Sequence, residues 1–159
     1  MIDDFKAYVV REDEGGVFSG QIETKKFDSL PPYEITIKVK YSSLNFKDAL
    51  SSIGNKGVTK KYPHTPGIDA AGIVVSSNNE KFSKNDKVIV TGYDLGMNTS
   101  GGFSEYIRVP SEWVIRLPES ISLRYAMSIG TAGLTAALCV DLLNKNNGCL
   151  LYTSDAADE

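Results

Sequence analysis

The side chains that could bind a metal or act as nucleophiles are few in this chain of 159 residues. It has one histidine, His64, and two cysteines, Cys139 and Cys149. These are too few for a zinc site of four Cys and His ligands, and two cysteines cannot build a disulfide framework. His64 lies between two prolines, where the sequence predicts a loop residue. Any chemistry must therefore come mainly from other polar groups.

Two short polar segments stand where a helix is predicted to begin. In the first, Asn45 and Lys47 can donate hydrogen bonds and Asp48 can accept them. Asn45 follows a predicted strand, so it could equally serve as the N-cap of the helix. In the second, Gly130-Thr-Ala-Gly133 opens a helix whose first turn offers unpaired N–H groups and positive potential. Thr131 is its best candidate for a binding role, and close helix packing is the alternative.

Short strands are predicted for most of the first 117 residues. Residues 34–42 alternate, with Ile35, Ile37, Val39 and Tyr41 on one face, which is typical of a half-buried strand. Further strands are predicted over residues 6–10, 17–23, 68–76, 87–91, 103–109 and 113–117. Short strands with frequent Gly and Pro between them indicate a barrel or a sandwich.

Two helices are predicted, one over residues 45–52 and one over residues 122–144. The longer helix contains Gly130-Thr131-Ala132-Gly133, and we expect a break near this segment. In its second half Leu134, Leu138 and Leu142 recur at helical spacing. This pattern predicts a mostly buried helix.

Composition and charge exclude several classes of protein. Hydrophobic residues make up 42% and charged residues 23% of the chain, which is typical of a globular protein and not of a disordered one. The net charge of −3 argues against a nucleic-acid partner. No uninterrupted apolar run approaches the roughly 20 residues of a membrane-spanning helix. The acidic N-terminus differs from a signal peptide, so we expect a cytoplasmic protein without a membrane partner.

Four motifs resemble, in order and spacing, those of one enzyme family. Ser42-Ser-Leu-Asn-Phe-Lys-Asp48 resembles the motif SS(L/I)NYKD, and Pro66-Gly-Ile-Asp-Ala-Ala-Gly-Ile-Val74 resembles PGID-x-AG-x-V. Gly101-Gly-Phe-Ser-Glu-Tyr106 and Ile129-Gly-Thr-Ala-Gly-Leu-Thr-Ala136 follow the same family. The motifs are those of the acryloyl-CoA reductase and quinone oxidoreductase branch of the medium-chain dehydrogenases/reductases.

The resemblance implies a mainly β fold with short helices. Residues 1–122 would form a GroES-like β-barrel catalytic domain, and residues 123–148 would be the helix that leads to a Rossmann domain absent from this chain. The family transfers hydride from NADPH to an α,β-unsaturated thioester such as acryloyl-CoA, or to a quinone. The resemblance therefore implies NADPH as cofactor, a small-molecule substrate and a full-length parent that is a homodimer.

The resemblance also implies an enzyme without a catalytic metal. Zinc-dependent relatives use a cysteine near the first helix and a His-Glu pair, and Ile68-Asp69 stands at the position of that pair here. Residues 93–99, where a structural zinc lobe would lie, contain no cysteine. Hydride addition to an enoyl thioester leaves negative charge on the carbonyl oxygen, which hydrogen-bond donors stabilise. Asn45 and Lys47 are the catalytic candidates.

Each candidate residue has an alternative role. Lys47 could be a surface charge or a partner of Asp48. Phe46 stands where the family usually has Tyr. Its ring would pack on the nicotinamide but lacks the tyrosine hydroxyl. The alternative is an ordinary core aromatic residue. Thr131 would lie beside the nicotinamide. For Asp69 we expect a structural role, with hydrogen bonds inside its own turn.

The last eleven residues, Cys149 to Glu159, do not resemble the family. They resemble the translation of a transposase-based sequencing-library adapter, so we expect an incomplete gene that continues into adapter sequence. A native C-terminus is the alternative. We accordingly expect this fragment to be inactive alone. The rival function is a non-catalytic GroES-like module for binding or oligomerisation.

Overall fold

The computed structural model describes residues 3–145 of the chain. The adapter-like segment 149–159 and the last residues of the linking segment 123–148 lie outside the described residues. Within residues 3–145 the fold is mostly β, with seven strands and two α-helices. The mainly β fold predicted from the sequence is confirmed.

The first two strands form a hairpin. β1 (Asp4–Glu12) pairs antiparallel with β2 (Phe18–Lys26). The turn between them is held by Asp13, whose Oδ1 accepts the backbone N–H groups of Gly15 and Val17 at 2.9 and 2.8 Å. One face of β1 is buried against the body of the domain, where it forms a small core with other apolar residues: Phe5, Ala7, Val9, Leu30 and Tyr106.

The remaining strands form one five-stranded antiparallel sheet in the order β6-β3-β4-β5-β7. Their bounds are Ile35–Tyr41 for β3, Asp69–Ser77 for β4, Lys87–Thr91 for β5, Tyr106–Val109 for β6 and Ile115–Arg116 for β7. Isolated bridges, Ala7 to Ser104 and Val10 to His64, join the hairpin to segments beside this sheet. The main core lies on one face of the sheet and consists chiefly of Ile, Val and Leu side chains.

The alternation predicted for β3 is correct only in part. Ile35 and Ile37 are buried and Val39 is half-buried, but Tyr41 is 45% exposed. Thr36, expected on the polar face, is buried because Arg108 of the neighbouring strand covers it and donates from Nε to its Oγ1 at 3.0 Å. The aliphatic part of an arginine side chain can cover a threonine hydroxyl, while its guanidinium group donates a hydrogen bond to that hydroxyl.

Both predicted helices are present. α1 spans Phe46–Ser52 and α2 spans Leu123–Lys145. Gly130 interrupts α2 with φ 51° and ψ −163°, which confirms the predicted break. The first part of α2 packs Ala126 and Met127 onto the sheet beside Ala71 and Leu117.

The predicted burial of the second half of α2 is wrong for the described chain. Leu134, Leu138 and Leu142 are 45%, 54% and 59% exposed. Helical periodicity detects an apolar face but does not tell which surface covers it. By length and composition alone, α2 would also be able to cross a membrane, a property that many core helices of soluble proteins share. The sequence did not indicate that α2 could span a membrane, because no uninterrupted apolar run marks this helix.

Candidate active site

An open hollow of about 500 Å³ lies at the start of α1. Its walls are mostly apolar and include Tyr8, Leu44, Ala49 and Phe103, while Asn45 brings a polar group to it. Leu44 is 86% exposed, so it presents apolar surface that no described residue covers. Its volume and mostly apolar lining fall within the range found for small-molecule sites.

Asn45 stands at the N-cap position of α1, with an extended backbone at φ −125° and ψ 157°. Its backbone N–H donates to Asp48 Oδ2 at 2.8 Å, so the carboxylate satisfies an N–H group at the start of the helix. Its side-chain Nδ2 donates to Asp69 Oδ2 at 2.9 Å. Asn45 therefore occupies the N-cap position and also has a donor amide at the edge of the hollow.

Asp69 joins three donors at the first residue of β4. Besides Asn45, its Oδ2 accepts the backbone N–H of Thr131 at 2.9 Å, and its Oδ1 accepts the Thr131 hydroxyl at 2.6 Å. The side chain is fully buried. The prediction that Asp69 bonds within its own turn is wrong, because its carboxylate reaches across to α1 and α2. Its partners Asn45 and Thr131 lie 24 and 62 residues away in sequence, so no local sequence pattern indicates these contacts.

Asp48 is the other buried carboxylate near the hollow. Its Oδ1 accepts the backbone N–H groups of Gly67 and Ile68, both at 3.0 Å. Burial raises the pKa of the Asp48 carboxyl above its ordinary value, and the backbone hydrogen bonds partly oppose that rise. These contacts hold α1 against the segment that enters β4. They give Asp48 a structural role, and the residue also lines the hollow.

Gly130 allows α2 to approach the Asp69 carboxylate closely. A Cβ on Gly130 would lie 2.6 Å from Ser43 Oγ and 2.8 Å from Asp69 Oδ2. Its positive φ with extended ψ is also a region that essentially only glycine adopts. Ser43 Oγ donates to the Met127 carbonyl, which ties the end of the first segment of α2 to the segment between β3 and α1.

Phe46 and Lys47 point to solvent on the exposed side of α1. Phe46 is 78% exposed, so the core-aromatic alternative is wrong within the described chain. Lys47 is exposed, and its ammonium group forms no hydrogen bond or ion pair with another residue in the range 3–145. It is therefore not a partner of Asp48. The structure thus brings Asn45 and Thr131 together around Asp69, and leaves Phe46 and Lys47 outside that cluster.

His64 has a structural environment away from this cluster. It is buried, its Nε2 lies 2.9 Å from the Gly96 carbonyl oxygen, and its backbone exchanges two hydrogen bonds with Val10. Burial lowers the pKa of its imidazole. Among residues 3–145, no group of three or more His, Cys, Asp or Glu residues could hold a metal ion.

Comparison with known proteins decides the family. Residues 31–119 match the sequence model of the alcohol dehydrogenase GroES-like domain. The chain belongs to this family. The GroES-like chain is also 41% identical over 143 residues to the acrylyl-CoA reductase AcuI of Ruegeria pomeroyi, an alignment that covers 89% of this chain and 43% of AcuI.

Two solved structures show the same fold. The YhdH oxidoreductase of Salmonella enterica, in complex with NADP, is 38% identical with a TM-score of 0.85 and aligns with 88% of this chain. The YhfP protein of Bacillus subtilis, with NAD bound, is 43% identical with a TM-score of 0.86 and aligns with 90% of this chain. In both cases the GroES-like chain covers 43% of the other protein. The chain thus spans less than half the length of its relatives.

Proposed function

We propose that the complete protein is an NADPH-dependent, zinc-free medium-chain reductase. It transfers hydride to an α,β-unsaturated thioester such as acryloyl-CoA, or to a quinone. The observation that carries the proposal is the junction of Asn45, Asp69 and Thr131 beside an apolar hollow. The similarity to AcuI, and the NADP and NAD bound in related structures, support the choice of reaction and of cofactor.

Asn45 is the group proposed to act on the substrate. When bound, NADPH supplies a hydride to the β-carbon of the substrate double bond, and a proton completes the reduction at the α-carbon. The displaced electron pair moves to the carbonyl oxygen, where a preorganised donor lowers the barrier. One N–H of the Asn45 amide is held by Asp69, and the second N–H is the one proposed to donate to that oxygen.

Phe46 and Thr131 are the residues proposed to contact the cofactor. The exposed ring of Phe46, together with Leu44, gives the nicotinamide an apolar surface to cover. Thr131 is the first residue after the break in α2, so it lies at a helix N-terminus on the same side of the barrel as Asn45. Lys47 is proposed as a second, more mobile donor because its ammonium group has no described partner.

The other properties of the complete protein are proposals from the family resemblance. They are a small-molecule substrate, a homodimer, a cytoplasmic location, and no nucleic-acid or membrane partner. We propose that residues 1–122 form the catalytic domain, that residues 123–148 lead to a nucleotide-binding domain, and that residues 149–159 derive from adapter sequence. The chain of 159 residues would then lack appreciable activity by itself.

One observation favours the rival function, a non-catalytic binding or oligomerisation module. The second half of α2 presents Leu134, Leu138 and Leu142 to solvent, which is the surface a partner would need. A nucleotide-binding domain of the same protein would cover this surface equally well. The two functions differ in whether the complete protein oxidises NADPH.

The test starts from the genomic reading frame that contains this sequence. We expect the complete protein to oxidise NADPH in the presence of acryloyl-CoA or of a quinone, and the faster substrate identifies the class. Asn45→Ala should lower kcat by about 10²–10³-fold, as the loss of an oxyanion donor does. Lys84→Ala, in the loop between β4 and β5, is the matched control and should leave kcat unchanged.

No NADPH oxidation with either substrate would contradict the proposed function and favour the binding module. A reading frame that ends in a native stop codon after Glu159 would contradict the proposal of an incomplete chain. For the chain alone, NADPH binding is measured by fluorescence titration. An affinity like that of an intact reductase would show that the missing part is not needed for binding.

A further inference from the structure

We propose that Asp69 is a positioning residue that fixes the direction of the Asn45 amide and couples it to the start of the second segment of α2. The proposal rests on the proposed function only for the role of Asn45 toward substrate. The coupling itself rests on the three hydrogen bonds that the Asp69 carboxylate accepts, and it can be tested in this chain without any activity.

The Asp69 side chain brings together donors from two elements. Asn45 Nδ2, the Thr131 backbone N–H and the Thr131 hydroxyl all point at its two oxygens, at 2.9, 2.9 and 2.6 Å. A carboxylate accepts all three bonds. The two N–H donors share Oδ2, so an asparagine whose amide oxygen takes that position keeps both bonds, and its NH₂ group can donate to the Thr131 hydroxyl. The link therefore depends on an acceptor at the Oδ2 position.

A buried charge here needs compensation, and the end of a helix supplies it. Asp69 is fully buried, so its ionised form loses solvation. The backbone N–H of Thr131 belongs to the first turn of the helical segment after Gly130, where the helix dipole is positive. The same interaction that stabilises the charge also fixes where this segment begins.

The amide of Asn45 is planar, so a hydrogen bond at one N–H sets the direction of the other. Asp69 itself cannot easily move, because Ser42 Oγ donates to its backbone carbonyl at 2.6 Å and Gly130 packs against its carboxylate. The donor proposed to meet the substrate is thus rigidly linked to the helix proposed to meet the cofactor. Misplacement of such a group by about 1 Å can cost about 10²-fold in rate.

The first test uses the whole 159-residue chain, labelled with ¹⁵N, and observes the side-chain amide of Asn45 by NMR. In Asp69→Ala, which removes the acceptor, we expect the Asn45 NH₂ protons to shift and to exchange faster with solvent. Thr131→Ser keeps all three donors and is the matched control, which should leave these signals in place. Unchanged Asn45 signals in Asp69→Ala would overturn the proposal.

The second test is a double-mutant cycle of Asn45→Ala and Asp69→Ala. Both changes remove the same Asn45–Asp69 hydrogen bond, so we expect the thermal midpoint of the combined variant to fall by less than the sum of the two single losses. A combined variant as unstable as the sum of its single changes would contradict a direct link between positions 45 and 69.

The third test separates positioning from a merely structural role in the complete protein. Asp69→Ala should lower kcat by about 10²-fold with little change in KM, at temperatures well below unfolding. Asp69→Asn, whose amide oxygen can keep the hydrogen bond to Asn45, should restore most of the lost kcat. A kcat for Asp69→Ala equal to that of the unaltered protein would overturn the proposal. If the unaltered protein oxidises no NADPH, the proposed function fails and the NMR test alone decides the role of Asp69.

Discussion

Two buried carboxylates near the hollow hold different kinds of groups. Asp48 accepts three backbone N–H groups, from Asn45, Gly67 and Ile68, and the side chain of Asn45 also lowers its pKa. Asp69 accepts one backbone N–H and two side-chain donors. Both side chains are almost completely buried, with exposed fractions of 2% and 0%. Similar burial therefore serves two purposes: one carboxylate fixes the path of the chain, and the other fixes the direction of side chains.

The difference teaches which carboxylate each kind of measurement should reveal. Backbone donors cannot turn away when their acceptor is lost, so removal of Asp48 leaves buried N–H groups unpaired. Side-chain donors can rotate toward water or another acceptor. We therefore expect unfolding measurements to respond more to Asp48, and kinetic or spectroscopic measurements to respond more to Asp69.

The largest expected effect on stability is that of Asp48→Ala. It removes the acceptor of three backbone N–H groups, and each unsatisfied buried donor costs about 1–3 kcal/mol. We expect the free energy of unfolding to fall by about 3–5 kcal/mol, measured by denaturant titration. Asp69→Ala, which strands one backbone N–H, should cost about 1–3 kcal/mol. Equal losses for the two variants would contradict the distinction between them.

Gly130→Ala should have the next largest effect. The substitution places a Cβ against Ser43 and Asp69 in a backbone conformation that costs about 1–3 kcal/mol for a residue other than glycine. The second segment of α2 should move away from Asp69, so the Thr131 hydrogen bonds weaken. Gly133→Ala is the control within the same motif, because Gly133 lacks a positive φ and its Cβ would meet only the half-exposed Ile129 side chain, at 2.7 Å. A Gly130→Ala protein as stable as the Gly133→Ala protein would show that the break is not strained.

The sequence predicted most elements of the fold because local patterns determine them. The alternation of residues 34–42 placed β3, and the Gly-Thr-Ala-Gly segment placed the break in α2 within residues 130–133, where the structure has it at Gly130. The site was predicted less well, since Asn45 and Thr131 were separate candidates with no visible link. Their common partner, Asp69, was expected to bond locally. A contact across 62 residues depends on how β4 and α2 pack, and no short pattern encodes it.

A third carboxylate, on the surface, extends the comparison to pH. Glu23 accepts two hydrogen bonds from Arg11, at 2.7 and 2.8 Å, and this lowers the pKa of its carboxyl from 4.5 to about 2. Its folded pKa lies below its unfolded value, so its contribution to stability is complete above pH 4.5 and is lost as pH falls toward 2. Asp48 has the opposite sign: its raised pKa favours the folded state as pH falls toward 3.8.

Glu23→Gln should therefore be slightly less stable than the unaltered chain at pH 7, with a difference that shrinks as the pH approaches 2. Thermal unfolding at several pH values measures the difference. Added salt should reduce it, because the pair lies near solvent. Lys81→Ala, whose ammonium group forms no ion pair with a described residue, is the control for loss of a surface charge. A difference that grows in acid would contradict the lowered pKa of Glu23.

The smallest effect on stability is expected for Lys47→Ala. Lys47 is next to Asp48 in sequence, yet it is exposed and lacks a partner among residues 3–145, so the free energy of unfolding should change by less than about 0.5 kcal/mol. In the complete protein its effect on kcat should be smaller than that of Asn45→Ala. A flexible ammonium group must be ordered during the reaction, whereas the Asn45 amide is already held by Asp69. A larger loss of kcat for Lys47→Ala than for Asn45→Ala would contradict the role proposed for Asn45 and make Lys47 the main donor to the substrate.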